Sequence, residues 1–176
     1  MPNFILSAII IIFLPLAILL SNLRIFINPW FATYEYSRSG FPPDSMGMTT
    51  ETRVNMANRA IKYLITSENV TYLNQDRDID GNPMYNEREL HHMEDVKFLV
   101  GRVLVLWRIS ILMVIGSFMW LYFKPDTDNI IKQSVSYGSG VIVVGIIALL
   151  AYIFINFDSF FTTFHQIFFE AGTWTF

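Results

Sequence analysis

Three stretches of this chain carry almost no charge, and each is long enough to cross a bilayer. No Asp, Glu, Lys or Arg occurs over residues 1–23 or 133–157, and residues 98–123 hold only Arg102 and Arg108. About 20 apolar residues carry a helix across the hydrocarbon layer. Backbone amides find no water there, so each run has to bond to itself as a helix. Composition agrees: 53% of the 176 residues are hydrophobic and 15% charged, with a mean hydropathy of +0.41. Soluble domains carry about 25% charged residues. A soluble monomer and a disordered chain are both excluded. The net charge of −3 argues against nucleic acid as a partner, because that binding needs clustered Lys and Arg. With no cysteine, disulfides, zinc–thiolate sites and a cysteine nucleophile are excluded as well.

The first run has no Lys or Arg before it and no small-x-small cleavage site after it, and it exceeds the usual signal-peptide core. It reads as a retained membrane helix, kinked near Pro15. The expected order is a first span (1–23), a polar domain (24–97), a second span (98–123), a short loop (124–132), a third span (133–157) and an interfacial segment (158–176). The fold class is a mainly α polytopic membrane helix bundle with a small extramembrane α+β domain.

Residues 24–97 carry 8 Lys and Arg against 11 Asp and Glu, too charged for the bilayer. Asn28-Pro29-Trp30 and Phe41-Pro42-Pro43-Asp44 are turn-rich and aromatic, suited to the lipid interface. Val54, Ala57, Ile61 and Leu64 recur at amphipathic spacing and predict a helix over 50–65. Val70 to Leu73 and the turn signal Asp80-Gly81-Asn82 predict a short hairpin. Asn86 and Glu89 form a capping-box pattern, and nothing breaks the following helix before Lys124-Pro125. Asp158 or Ser159 caps a last amphipathic segment, with Phe160, Phe161, Phe164, Ile167 and Phe168 on one side and Gly172 at its end. Gly138, Gly140 and Gly145 are read as close helix-packing positions.

Two crossings separate the polar domain from the tail, so both face the same side, and all three histidines lie there: His91, His92 and His165. Charge counts leave the side open, with Lys124 and Lys132 set against Arg24, Lys97 and Arg102 and a loop too long for the positive-inside rule.

Two clusters carry candidate chemistry. In Glu87-Arg88-Glu89-Leu90-His91-His92-Met93-Glu94-Asp95 a carboxylate one helical turn from an imidazole can fix its tautomer; the plain alternative is a solvated first turn. In Asp158-Ser159-Phe160-Phe161-Thr162-Thr163-Phe164-His165-Gln166-Ile167-Phe168-Phe169-Glu170 an imidazole among phenylalanines tends to stay neutral and able to act as a base; the plain alternative is a packed interfacial histidine. Arg108, inside the second span, needs a partner, a wet cavity or a lipid headgroup.

Glu89-Leu90-His91-His92-Met93-Glu94-Asp95-Val96-Lys97 resembles the E-x-x-H-M-x-D-V-K element of a family of small bacterial integral membrane proteins. Phe164-His165-Gln166-Ile167-Phe168-Phe169 and Gly172-Thr173-Trp174-Thr175-Phe176 resemble its F-H-x-x-F-F and G-x-W-x-F elements. Tyr36-Ser37-Arg38-Ser39-Gly40-Phe41 and Tyr63-Leu64 fit more loosely. The family includes the lipoprotein intramolecular transacylase. The resemblance implies an enzyme at the outer leaflet of Gram-positive membranes, acting on diacylglyceryl-modified lipoproteins. It moves the sn-2 acyl chain from glycerol to the α-amino group of the N-terminal cysteine and yields the lyso form. It further implies His92 and His165 as the acid/base pair, with Glu89, Asp95 or His91 in support and Arg108, Phe161, Phe164 and Phe168 toward lipid. No cofactor, metal or covalent intermediate is implied. Family members continue into a fourth membrane helix beyond the tryptophan element, whereas three spans are expected over these 176 residues.

Two further readings stand beside it. One is a metal-dependent membrane hydrolase drawing ligands from Glu87, His91, His92, Asp95 and His165. The other is a non-catalytic membrane scaffold.

Overall fold

Residues 2–45 and 47–175 are described by a computed structural model; Met1, Met46 and Phe176, the last residue of the tryptophan element, lie outside them. Six helices follow in order: α1 (Pro2–Phe26), α2 (Pro29–Ser37), α3 (Thr50–Ile65), α4 (Glu87–Tyr122), α5 (Asp128–Ile155) and α6 (Phe157–Phe168). Helices α1, α4 and α5 are long and apolar enough to cross a membrane. The protein is therefore a multi-pass membrane protein built from helices. The chain forms two compact units, Met1–Asn22 with Val103–Thr163, and Leu23–Arg102 with Phe164–Phe176.

The first unit holds the apolar helices, joined by polar pairs that are stronger glue in hydrocarbon than further methyl contacts. Ser7 and Ser134 share a hydrogen bond of 2.7 Å, and the Trp107 indole donates to Ser21 Oγ at 2.9 Å. Ser110 and Ser134 are fully buried and return their hydroxyls to the carbonyls one turn back, Leu106 and Ile130. Gly138 lies flat on α1: a Cβ built there falls 3.6 Å from the Ile11 backbone and from Leu14 Cδ2. Gly140 and Gly145 have nothing within 4 Å of such a Cβ, so close packing explains only one of the three glycines. Leu112, Ile147 and Phe154 are exposed, as lipid-facing side chains should be.

The second unit corrects one expectation. No strand forms among the described residues, so the polar region is helical and the α+β domain is not there. Val70–Tyr72 is a 3-10 turn instead, because the Asn69 side chain accepts from the Thr71 amide at 3.1 Å and curls the chain. The Asp-Gly-Asn signal does make a turn. Asp78 Oδ1 accepts from the Asp80 and Asn82 amides at 2.9 and 2.8 Å, and Gly81 takes φ +84°. The turn yields a single bridge, Arg77 to Pro83, and proline has no N–H with which to extend a ladder. Asn28-Pro29-Trp30, read as turn-rich, opens α2: the Asn28 side chain accepts from the Trp30 amide and Pro29 occupies the first turn. The amphipathic helix α3 has the predicted bounds and packs on α2, where Asn58 Nδ2 donates to Thr33 Oγ1 at 3.1 Å.

Aromatic and cationic side chains hold this unit together. Arg53 lies over the Tyr36 and Phe41 rings at 5.1 and 5.0 Å and donates to the Pro42 carbonyl, which gives the Tyr36–Phe41 element a structural use. Arg59 pairs with buried Asp76, donates to the Tyr72 carbonyl and covers the Tyr72 ring at 4.2 Å. Tyr63 and Leu73 form the buried apolar centre.

The start of α4 is set by its cap. The Asn86 amide donates to Glu89 Oε2 at 2.7 Å, and the Glu89 amide donates to Asn86 Oδ1 at 3.0 Å. Three turns later Lys97 donates to the carbonyls of Tyr63 (2.7 Å) and Glu68 and lies 4.1 Å from the Tyr63 ring centroid. The Tyr63 carbonyl belongs to the last turn of α3, where carbonyls lack helical partners and the dipole favours a cation. Hydrogen bonds to charged groups contribute about 1.5–3 kcal/mol, of which partial exposure removes some. Lys97→Met, which keeps the aliphatic stem, is expected to cost about 1–2 kcal/mol. Thermal unfolding in detergent checks this; an unchanged melting temperature contradicts the assignment.

Candidate functional site

The site lies wholly within the second unit, where the first turns of α4 meet the end of α6 and the segment after it. The apolar, membrane-length part of α4 begins only at Phe98, since six charged residues fall among residues 87–97. His91 and His92 thus precede it. His92 is about 9 Å along the helix axis from Phe98 at 1.5 Å per residue.

At the other side of the site, Asn156 separates α5 from α6. Its side chain accepts from the Ser159 amide at 2.9 Å, and its carbonyl accepts from Phe160 N. Asn156 is therefore the cap, two residues ahead of the expected Asp158 and three ahead of Ser159; its short amide side chain is as good an acceptor for orphan amides as theirs. Helix α6 ends at Phe168, and Gly172 takes φ +90° in the turn that follows. A left-handed residue there lets residues 173–175 turn back.

The imidazoles of His92 and His165, 73 residues apart, come to a ring-centroid distance of 6.3 Å with planes inclined by 30°. Phe169 packs edge-on against His92 at 4.8 Å and tilts against His165 at 5.3 Å. Trp174 covers His165 at 4.8 Å, and Phe164 touches the same imidazole at 5.5 Å. Phe164 and Phe168 pack together at 5.0 Å and stay partly exposed. Both imidazoles therefore sit in an aromatic wall.

Charge is arranged around them unequally. Burial pushes the His92 imidazole below its ordinary value; His165 adds to this, and Asp95 opposes it. His91 behaves oppositely. A hydrogen bond from its Nε2 to Glu170 Oε2 (3.3 Å) holds its pKa above the ordinary value, against desolvation and with help from the Asp95, Glu170 and Glu94 charges. Its Nδ1 lies 3.7 Å from Glu94 Oε2. Adjacent residues on one helix thus differ: His92 favours the neutral form and His91 the charged form.

The supporting residues divide as well. Glu89 is committed to the helix cap through Oε2. Asp95 Oδ2 lies 3.3 Å from Thr173 Oγ1, tying α4 to the C-terminal segment. Phe161 and Arg108 belong to the other unit, and both are exposed there; Phe161 packs on Phe157 at 6.0 Å. Among the described residues no three His, Asp or Glu side chains gather at metal-ligand distances, so the hydrolase reading finds no ligand set. Sequence reasoning missed Phe169, Glu170 and Thr173 and gave Trp174 no role. The doublet Phe168-Phe169 and a lone tryptophan just past a glycine were the available signals.

Comparison with known proteins supplies the chemistry. Residues 8–176 match the profile of the family described as lipoprotein intramolecular transacylase Lit. An uncharacterized protein of Aquifex aeolicus (strain VF5) is 30% identical over 171 residues, which cover 97% of this chain and 75% of that protein. No solved structure matches. With nearly its whole length inside that profile, the chain belongs to the lipoprotein intramolecular transacylase family, membrane enzymes that transfer an acyl group within a lipoprotein.

Proposed function

We propose that this enzyme moves the sn-2 acyl chain of a diacylglyceryl lipoprotein to the α-amino group of its N-terminal cysteine, at the extracytoplasmic face, with His92 and His165 as the acid/base pair. The observation that carries the reading is the approach of these two imidazoles to 6.3 Å, each backed by an aromatic ring.

An α-amino group has a pKa of about 7.7–8.0, so near neutral pH it is largely protonated and has no lone pair to attack with. A neutral imidazole can take that proton, and burial favours the neutral form of His92. The free amine attacks the ester carbonyl and a C–N bond forms. The carbonyl oxygen becomes an oxyanion, which a histidine N–H can stabilise. When the C–O bond to glycerol breaks, the leaving oxygen takes a proton from the second imidazole and the attacking nitrogen returns its own surplus proton to that imidazole, so the amide and the glycerol hydroxyl result. His165 fills this role, since it stands within one ring-pair distance of His92. Nucleophile and electrophile belong to one molecule, so holding them in contact replaces activation of an enzyme nucleophile. Phe164 and Phe168, partly exposed beside His165, offer apolar contact to the acyl chain.

Removing a general acid or base typically costs about 10²–10⁴-fold in rate. His92→Ala and His165→Ala are each expected to lower turnover by about 100-fold or more, and His91→Ala by much less. Mass spectrometry of lipoprotein N-termini, in a host lacking its own N-acylation, reads this as the acyl chain retained on glycerol. Full transfer by either His92→Ala or His165→Ala overturns the assignment.

The neutral state of His92 can be read directly. Its NMR titration midpoint is expected below the ordinary value of about 6.5. Replacing His165 with Ala removes a like charge and some burial, and both changes move the midpoint up. A midpoint at or above the ordinary value in the intact protein rules out the stated cause.

A further inference from the structure

Among the described residues, contacts that join α4 to the end of α6 and the segment after it include four: the His92–His165 and His92–Phe169 ring pairs, His91 with Glu170, and Asp95 with Thr173. The third is exposed on both sides, at 52% and 71% of side-chain surface, and exposed pairs of this kind contribute little rigidity. The fourth differs. Thr173 is only 7% exposed, and its hydroxyl lies 2.9 Å from the Glu170 carbonyl and 3.3 Å from Asp95 Oδ2.

A threonine hydroxyl has one proton, so the two acceptors share it: the Glu170 carbonyl takes the shorter contact and Asp95 Oδ2 the longer one, which reaches α4. Glu170 begins that turn, whose backbone closes with the Thr173 amide reaching the Glu170 carbonyl at 3.4 Å. The next residue is Trp174, which lies on His165 at 4.8 Å. Asp95 stands three residues after His92 on α4, on the same side of the helix. One buried hydroxyl thus connects the helix that carries His92 to the residue beside the ring that covers His165.

We propose that Thr173 is a positioning residue for acyl transfer: its hydroxyl, shared between Asp95 and the Glu170 carbonyl, holds Trp174 against His165 and keeps the two imidazoles in register. This rests on His92 and His165 being the acid/base pair. Loss of the hydroxyl lets Trp174 and the His165 ring drift while both histidines remain. Errors of about 1 Å in such geometry cost on the order of 10²-fold in rate.

The test compares Thr173→Val, which keeps the branched shape without the hydroxyl, with Thr173→Ser, which keeps the hydroxyl. Full-length protein in detergent micelles is assayed against a diacylglyceryl lipopeptide. Thr173→Val is expected to lower kcat by about 10–100-fold with KM within threefold, and Thr173→Ser to stay within threefold of wild type in both. Wild-type kcat in Thr173→Val overturns the proposal, and so does a Thr173→Ser variant as slow as Thr173→Val. If Thr173→Val does not fold, Thr173→Ala replaces it; equal kcat in the Ala and Ser variants then counts against the hydroxyl. The histidine variants separate the two claims. Full activity in His92→Ala or His165→Ala removes the acid/base reading itself, whereas inactive histidine variants beside a fully active Thr173→Val remove only the role of Thr173.

Discussion

A peptide backbone in hydrocarbon must satisfy its own hydrogen bonds, and this dictates what the rest of the chain can do. Helices α1, α4 and α5 take up most of the apolar sequence, and the Ser7–Ser134 and Trp107–Ser21 hydrogen bonds join them through uncharged groups. Groups able to move protons are concentrated instead in the other unit. Helix α4 joins the two kinds of chemistry in one continuous rod. Its first turns carry two imidazoles and a capping box, and the remainder is long and apolar. A break anywhere in that rod would uncouple the orientation of His92 from the apolar part of the helix.

Local patterns were legible wherever one interaction dominated. The amphipathic spacing around Val54 and Leu64 gave α3, and the Asn86–Glu89 pair gave the start of α4. The family resemblance named His92 and His165, whose ring centroids stand 6.3 Å apart. Tertiary or competing local bonds hid the rest. Val70–Tyr72 has β-forming side chains, but the Asn69 amide oxygen claims the Thr71 N–H and bends the backbone before a strand partner can. Glu89 looked like an orienting group for His92, yet its carboxylate is used in the cap. Asn156 outcompetes the charged or hydroxyl residues after it as the cap of α6. Glu170 and Thr173 reach α4 across more than 75 positions, and spacing along one helix cannot reveal such partners.

The site also shows how one helix gives two adjacent histidines opposite tendencies. Successive residues on a helix point about 100° apart, so one of the pair faces the aromatic wall and the other faces carboxylates. Phe169 and the neighbouring imidazole exclude water from His92, which disfavours charge there. Glu170 and Glu94 favour charge on His91, which is largely exposed. The doublet therefore places a histidine whose neutral form is favoured beside one whose charged form is favoured, without a change of element.

Intramolecular acyl transfer asks less of a protein than hydrolysis does. No water has to be activated, and no serine or cysteine has to be made nucleophilic, since the substrate brings its own amine. On the proposed mechanism what remains is to manage the protons and to hold the imidazoles assigned to them. Aromatic packing favours edge-on and offset ring arrangements, but at about 0.5–1.5 kcal/mol per pair beyond buried area it resists sliding only weakly. Directional bonds are needed to set the register between the two histidine-bearing segments. In this chain the buried one is the Thr173 hydroxyl shared between Asp95 and the Glu170 carbonyl, with the exposed His91–Glu170 pair beside it. The aromatic wall thus sets the local environment of the imidazoles, and a few polar atoms in the tryptophan element set where they stand.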